Sequence, residues 1–430
     1  MESNRNIGEQ TVLLQARVDK ITSKINPKVF AKAVEFSSKI PPTMKSIGAL
    51  CSMFSGGTPS AGRVEYYNNG TIPFIRSGEI NSEVTELFLT EKGLANSAAK
   101  LVEKGDLLLA LYGATSGEVG ISKISGAINQ AVLCIRSSQL NTLYLKNLLI
   151  FEKARILNTY LQGGQGNLSA EIIKSLKFPF PPLAEQKRIA EVLSIWDVGI
   201  ERLERVIALK EKCKRALMQR LFSGKTRLSG FSAPWKEVKL GKIVSTVSRT
   251  VGCSRAVAMS ISAGRGFVPQ SEKFGRDISG KQYEKYTLLK LGEFAYNKGN
   301  SKRYPQGCVY RLKEHKEVAI PNVFISFRVD ETLCFPQFME SYFEANKHGK
   351  WLCRVINSGV RNNGLLNLNT EDFLKMPVGL PSLEEQVSIA KVLLAALQEL
   401  SFLRRKCELL KLQKKWLMQQ LLTGKKRLVK

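Results

Sequence analysis

Apolar residues between positions 189 and 207 fall at Ile189, Leu193, Trp196, Ile200, Leu203 and Ile207, in alternating steps of four and three. The same phase returns 200 positions later, at Ile389, Leu393, Ala396, Leu400, Leu403, Cys407 and Leu410, and runs on through Leu417 and Leu421. This spacing puts one narrow stripe on a helix, the seam by which one long helix packs on another. Leu183 and Leu383 follow prolines placed where a helix can start, and Gly224 and Gly424 sit where it should stop. Basic residues in the last turns suit the negative end of the helix dipole. Two helices of roughly 38 residues are predicted, about 57 Å each at ~1.5 Å per residue. They are too long to be covered by a small domain alone, so the two are expected to pack on each other. The alternative is that each helix only caps its own neighbouring domain.

The segments before the two helices carry a different pattern. Short β-type runs broken by glycine occur at 72–75, 106–111, 131–135, 318–320 and 323–327, with helical stretches at 143–161 and 336–347. Mixed α/β domains are predicted. The two segments share an entrance, Met44-Lys-Ser-Ile-Gly48 and Val238-Lys-Leu-Gly241, and little else. Residues 12–25 form a short amphipathic helical pattern with no evident role.

The helices themselves belong to a repeat. Pro181-Pro-Leu-Ala-Glu-Gln186 recurs as Pro381-Ser-Leu-Glu-Glu-Gln386, and Leu221-Phe-Ser-Gly-Lys-Thr-Arg-Leu228 recurs as Leu421-Leu-Thr-Gly-Lys-Lys-Arg-Leu428, without a gap. The chain divides into 1–41, an N-terminal extension; 42–180, a first domain; 181–228, a central long helix; 229–380, a second domain; and 381–430, a C-terminal long helix.

Charge narrows the partner. Lysine and arginine total 65 against 37 acidic residues, a formal net charge of +28, and such a field draws a polyanion in a salt-dependent way. Nucleic acid is the first candidate. The eight cysteines never form a Cys-x-x-Cys pair and read as reduced, mostly core residues of a cytosolic protein. The first ten residues lack a basic and then apolar leader, and the longest apolar runs, such as 107–112, are far shorter than a membrane span, so a cytoplasmic location is expected.

Constant helices alternating with differing α/β domains resemble the specificity subunits of type I restriction–modification systems, over nearly the whole chain. Local motifs agree: Ser55-Gly-Gly-Thr-Pro-Ser60, Ile72-Pro-Phe-Ile-Arg-Ser-Gly-Glu-Ile80, Lys104-Gly-Asp106, Gly113-Ala-Thr-Ser-Gly117, Ile128-Asn-Gln130, and Gly163-Gly-Gln-Gly-Asn-Leu-Ser169 leading to Phe178-Pro-Phe-Pro-Pro182 are similar to landmarks of the family's target-recognition domains. The second domain departs from them, carrying Tyr296-Asn-Lys-Gly-Asn-Ser-Lys-Arg-Tyr304 and Gly359-Val-Arg-Asn-Asn-Gly364 instead. The resemblance implies a mixed α/β fold: two target-recognition domains separated by two long helices pairing as an antiparallel coiled coil, with pseudo-two-fold internal repetition. It implies no catalytic site. Each domain would read one half of a bipartite double-stranded DNA site, and the helices would dock two adenine-N6 methyltransferase subunits, with restriction and translocase subunits joining them. S-adenosylmethionine, ATP and magnesium would sit on those partners, leaving this chain without a cofactor or metal.

Base reading needs paired donors or acceptors on loops that reach a groove. The candidates in the first domain are Thr58, Arg63, Arg76, Ser77, Glu79, Tyr112, Thr115 and Gln165. In the second they are Arg255, Arg265, Lys273, Arg276, Asn297, Lys298, Asn300, Lys302, Arg303, Tyr304, Arg361 and Asn362. The basic helix ends, 201–228 and 401–430, fit either phosphates or acidic patches on partners. Trp196 and Trp416 are expected in the packing seam.

Enzyme readings fare poorly. Ser223-Gly-Lys-Thr226 resembles the end of a phosphate-binding loop, but Gln219 stands where its first glycine is required and the segment ends a helix. Phe178-Pro-Phe-Pro-Pro-Leu183 resembles the Pro-Pro-aromatic loop of amino-methyltransferases without the preceding Asp or Asn or the stacking aromatic. Only His315 and His348 are available for acid–base chemistry or zinc. Two rival readings stay open: a stand-alone double-stranded nucleic-acid-binding regulator, and the specificity subunit of a fused nuclease–methyltransferase.

Overall fold

The structure is a computed structural model and describes residues 43–161, 167–299, 304–356 and 366–428. The amphipathic pattern at 12–25 lies outside the described residues. The chain forms two compact units, one from residues up to 205 together with those from 405 onward, the other from 206–404.

In the first unit the strands are β1 (Thr43–Ser46), β2 (Ser52–Ser55), β3 (Ile72–Ile75), β4 (Phe88–Leu89), β5 (Lys100–Val102), β6 (Leu107–Ala110), β7 (Val119–Ile121), β8 (Gly126–Ile128), β9 (Val132–Arg136) and β10 (Lys177–Phe180). They make sheets ordered β2-β9-β6-β7 and β4-β3-β8-β5, with β1 paired antiparallel to β10. One parallel pair, β3 with β8, sits inside the second sheet. Helix α1 (Thr142–Leu161) buries Tyr144, Leu145, Leu148 and Leu149 against the first sheet's Leu107, Leu109, Leu133 and Ile135.

The second unit holds β11 (Lys236–Lys239), β12 (Val244–Thr246), β13 (Val257–Ser262), β14 (Gly266–Pro269), β15 (Thr287–Lys290), β16 (Phe294–Asn297), β17 (Cys308–Arg311), β18 (Glu317–Ile320), β19 (Ile325–Val329) and β20 (Pro377–Leu380). Its sheets run β12-β19-β16-β17 and β14-β13-β18-β15, with β11 on β20 and the parallel pair β13 with β18. Strand for strand this is the plan of the first unit. The expectation that the two domains share little beyond an entrance is therefore corrected: they share topology and differ in filling. β6 buries Leu-Leu-Leu-Ala where β16 buries Phe-Ala-Tyr and half-buries Asn297. The aromatic filling of the second unit is completed by Phe327, Phe338, Phe343 and Phe373 around Phe294 and Tyr296, where ring stacking adds to area burial.

The repeated blocks are the helices α2 (Leu183–Leu221, 39 residues) and α4 (Leu383–Leu422, 40 residues); between them α3 (Pro336–Glu344) is the second unit's counterpart of α1. Gly224 and Gly424 stop the long helices with φ of 69° and 71°, a left-handed conformation that costs glycine no Cβ clash. In the first unit the start of α2 lies against the end of α4: Ile189, Ala190 and Leu193 share one core with Met418, Leu421 and Leu422. Ion pairs give the direction, since Glu185, Asp197 and Glu204 meet Arg427, Lys414 and Lys411 in turn. Inside the second unit Lys210 meets Glu399 and Arg227 meets Glu385, again antiparallel. The helices pair with each other as well as packing on their domains, so the alternative that each only caps its own domain does not hold.

Of the predicted seam, Ile189, Leu193, Trp196, Leu203, Leu400, Leu403, Cys407 and Leu421 are buried. Trp416 is not: it is 54% exposed. It precedes the seam residue Leu417 by one position, a rotation of about 100° that carries it off the seam. One other expectation is corrected. Cys213, Cys253 and Cys353 are exposed, so only half of the cysteines are buried. Among the described helices α4 is, by length and composition alone, long and apolar enough to cross a membrane, and its seam side packs on protein.

Candidate nucleic-acid interface

Strand direction gathers loops at one end of each unit. In the first, the chain leaves β2, β3, β6 and β8 at the same end, and hydrogen bonds tie the departing loops together. The N–H of Gly56 donates to the Asn129 carbonyl (3.3 Å), that of Leu111 to the Ala131 carbonyl (2.8 Å) and that of Leu168 to the Leu111 carbonyl (2.9 Å). The Gly-Gly-Thr-Pro loop can run this close only because it has no side chain there: a Cβ on Gly56 would lie 1.8 Å from the Ile128 carbonyl oxygen, and one on Gly57 2.6 Å from Ala98 Cβ. The exposed Thr58 then donates through Oγ1 to Gln130 Oε1 at 2.5 Å, fixing the plane of that amide while leaving its NH2 outward chemistry intact. Sequence reasoning noted the Ile-Asn-Gln run but missed Gln130 as a contact residue; its two-faced amide was the available signal.

The loop after β3 is held differently. Arg76 forks onto Glu79 through Nε and Nη2 (both 3.1 Å) and reaches Glu86 with Nη2 (2.6 Å), while the N–H groups of Arg76 and Glu86 donate to the Glu79 carboxylate. Partial burial opposes charge on Glu79, but these donors outweigh it and hold its carboxyl below the usual range. The hydrogen bonds to Glu79 and Glu86 raise Arg76 further above its ordinary value. Two candidate base readers are thus each other's partners, and they shape the loop on which half-buried Ser77 sits. Arg63 is exposed beside Glu65. Tyr112 and Thr115 lie on the loop after β6, Tyr112 half-buried against the core with burial raising its hydroxyl.

At the same end of the second unit the bonding recurs. The Val247 N–H donates to the Ser326 carbonyl (2.8 Å), and the Leu366 N–H to the Lys298 carbonyl (2.9 Å). Lys298 Nζ reaches the Leu368 carbonyl at 3.3 Å. Asn297 donates from Nδ2 to the Ile261 carbonyl (3.1 Å) and accepts from the Gly299 N–H (2.8 Å). Lys273 Nζ donates to the same Ile261 carbonyl (2.9 Å) and to Ser260 Oγ, and burial lowers its ammonium. Asn297, Lys298 and Lys273 therefore cluster at the strand ends. Tyr304 packs half-buried nearby. Arg265 pairs with Glu272, and Arg255 and Arg276 are exposed. Gln165, Asn300, Lys302, Arg303, Arg361 and Asn362 lie outside the described residues.

The two signature motifs turn out to be a structural device. The glutamate of each Pro-Leu-x-Glu-Gln accepts from the arginine of the other copy's Gly-Lys-x-Arg-Leu, Glu185 from Arg427 and Glu385 from Arg227. The glutamine following it caps a domain helix: Gln186 Oε1 accepts from the Asn141 N–H before α1 (2.9 Å), and Gln386 Oε1 from the Phe335 N–H before α3 (2.8 Å). Much of the basic charge on the helix ends is neutralised within the chain, through Lys210, Lys214, Arg227, Lys411, Lys414 and Arg427. Phe178 and Phe180 of the methyltransferase-like fragment are buried core. Among the described residues no three His, Cys, Asp or Glu side chains gather as a metal site.

Residues 42–211 match the family described as the type I restriction modification DNA specificity domain. The type I restriction enzyme MjaVIII specificity subunit of Methanocaldococcus jannaschii is 24% identical over 410 residues, covering 88% of this chain and 91% of that one. The crystal structure of a type I restriction–modification S subunit from M. genitalium overlays with a TM-score of 0.54 at 16% identity, covering 91% of this chain and 98% of that one. A chain from a structural study of assembly and conformational transition in the type I system overlays at 0.56 and 15% identity, covering 91% and 100%.

Proposed function

We propose that the chain, a type I restriction–modification specificity subunit by its family match and relatives, reads a DNA site in two parts, one half with each loop cluster. The observation that carries this reading is one ten-strand scaffold occurring twice with unlike side chains at the same strand ends. A constant frame with variable loops is how a protein reads two different sequences with one geometry. The net charge of +28 supplies attraction to the phosphates, and the paired helices set the unread gap. Thr58, Gln130, Ser77 and Thr115 in the first unit, and Lys273, Asn297, Lys298 and Tyr304 in the second, are the described candidates for groove contacts. The chain does no chemistry: two methyltransferase subunits docked on it flip and methylate an adenine each, using S-adenosylmethionine of their own, and restriction subunits bring ATP and magnesium. The complex acts on DNA in the cytoplasm.

Co-expression with the methyltransferase subunit and mapping of modified bases tests the reading. Modified adenines within a two-part motif are expected, with Arg303→Ala weakening binding to that motif and leaving folding intact. Tight binding to one continuous site without any partner would instead make the chain a stand-alone regulator.

A further inference from the structure

The strand that follows the parallel pairing ends alike in both units. In the first, β8 runs parallel to β3, and its last residues, Ala127 and Ile128, face Leu101 and Lys100 of β5. In the second, β18 runs parallel to β13, and Ala319 and Ile320 face Leu288 and Thr287 of β15. The chain then makes the same turn. The Val132 N–H donates to the Asn129 carbonyl (3.2 Å) and the Phe324 N–H to the Pro321 carbonyl (3.1 Å), so each turn begins one residue past its strand. The second residue of each turn carries a carboxamide, Gln130 in the first unit and Asn322 in the second, and both are exposed. No residue is shared between the two turns: Asn129, Ala131 and Val132 stand against Pro321, Val323 and Phe324. What recurs is one functional group at one place.

Neither turn needs that group for its own shape. The first is braced by Asn129, whose Oδ1 accepts from the Ala131 N–H (3.1 Å), and in the second Pro321 fixes a backbone angle through its ring. Both turns lie at the strand ends from which the reading loops leave. Thr58 occupies one lone pair of Gln130 Oε1 (2.5 Å), so a second lone pair and both N–H groups of that amide remain available. A carboxamide presents a donor and an acceptor side by side, which complements the N7 acceptor and the N6 amino group of adenine in the major groove. Phosphate contacts are served by charge, and a chain with 65 lysines and arginines has charge to spend on them. A neutral amide at the equivalent point of both units therefore favours a base edge over a phosphate.

We infer that Gln130 and Asn322 are matched adenine readers, each bonding through its amide to N7 and the N6 amino group of an adenine that stays stacked in the duplex, distinct from the adenine that is flipped. This rests on the two-part reading proposed above and names the base that each unit demands at this point. For the test, the full chain is co-expressed with the methyltransferase subunit, its motif is mapped, and each adenine of the motif is replaced in turn by 7-deazaadenine, which lacks the N7 acceptor. In the natural complex one such replacement in each half is expected to weaken binding. Gln130→Ala should weaken binding to the motif by about 10- to 100-fold, become indifferent to the replacement in one half and stay sensitive to that in the other. Asn322→Ala should do the reverse. Gln130→Glu and Asn322→Asp, which keep the side-chain shape and lose the donor, should behave as the alanine variants do. Both side chains are exposed, so the melting temperatures of all four variants should match that of the natural chain. An equal loss of affinity for the motif and for unrelated DNA would make the two amides phosphate contacts and overturn the inference. So would alanine variants that bind as the natural chain does, or that stay sensitive to every replacement. A natural complex that modifies no two-part motif would sink the underlying reading as well, whereas a two-part motif without these responses would sink this inference alone.

Discussion

Arg427 grips Glu185 across 242 residues of sequence, donating from Nε at 2.9 and 3.1 Å and from Nη2 at 2.6 Å. Both side chains are nearly withdrawn from solvent, at 15% and 10% exposure. Removing one partner strands a buried charge, which is more damaging than removing both. Arg427→Ala is expected to lower the stability of the first unit by about 3 kcal/mol, and Arg427→Ala combined with Glu185→Ala to recover much of that loss. Urea titration of the three proteins measures the difference; a double variant no more stable than the single would show that the pair is not the source.

Glycine at position 56 is expected to be irreplaceable. Alanine there must push its Cβ against the Ile128 carbonyl, so Gly56→Ala should cost about 2–3 kcal/mol, within the range for overpacking. A methyl group on Gly62 would meet nothing within 4 Å, and Gly62→Ala should shift stability by no more than ~0.5 kcal/mol. Thermal melts of the two variants side by side make the comparison.

Acid should weaken the second unit through His348. The ring is 2% exposed, and burial pushes its pKa down to about 4, against a smaller opposing effect from the Gly307 backbone. The unfolded chain therefore takes up the proton first. Stability is full above pH 6.5 and is lost as pH falls from 6.5 through about 4, by on the order of 3 kcal/mol for a shift of this size. His348→Phe should flatten this part of the stability–pH curve; an unchanged curve would assign the acid sensitivity to other groups.

Exposed arginines distinguish phosphate contacts from base reading. Arg255→Ala is expected to weaken binding to cognate and unrelated DNA alike, and to reduce the slope of log K against log salt by about 0.9 if one phosphate contact is lost. Thr58→Val, which frees the Gln130 amide from its hydroxyl anchor, should weaken the cognate site alone. Binding titrations at several salt concentrations separate the two outcomes.

What could be read from the sequence was whatever needs only local periodicity. The seam of α2 and α4 follows from steps of three and four, and the helix ends from Pro181, Pro381, Gly224 and Gly424. Trp416 was misplaced because one residue of phase separates the seam from its flank. The identity of the two sheet plans was hidden, because Leu107–Ala110 and Phe294–Asn297 fill equivalent strands with side chains of different volume. The signatures were visible as motifs but not as partners: nothing local couples Glu185 to Arg427. Among the candidate contacts, Arg76 and Glu79 looked independent until their mutual pairing appeared.

The first unit draws on two stretches far apart in sequence, since α4 from residue 405 onward and Arg427 belong to it, while the second is one uninterrupted stretch, 206–404. During synthesis, when domains generally fold as units, the later-made unit has all its parts before the earlier one does. The head translated first waits, its helix α2 exposed along the side that Met418, Leu421 and Leu422 will cover, until the ribosome has delivered the tail that closes it.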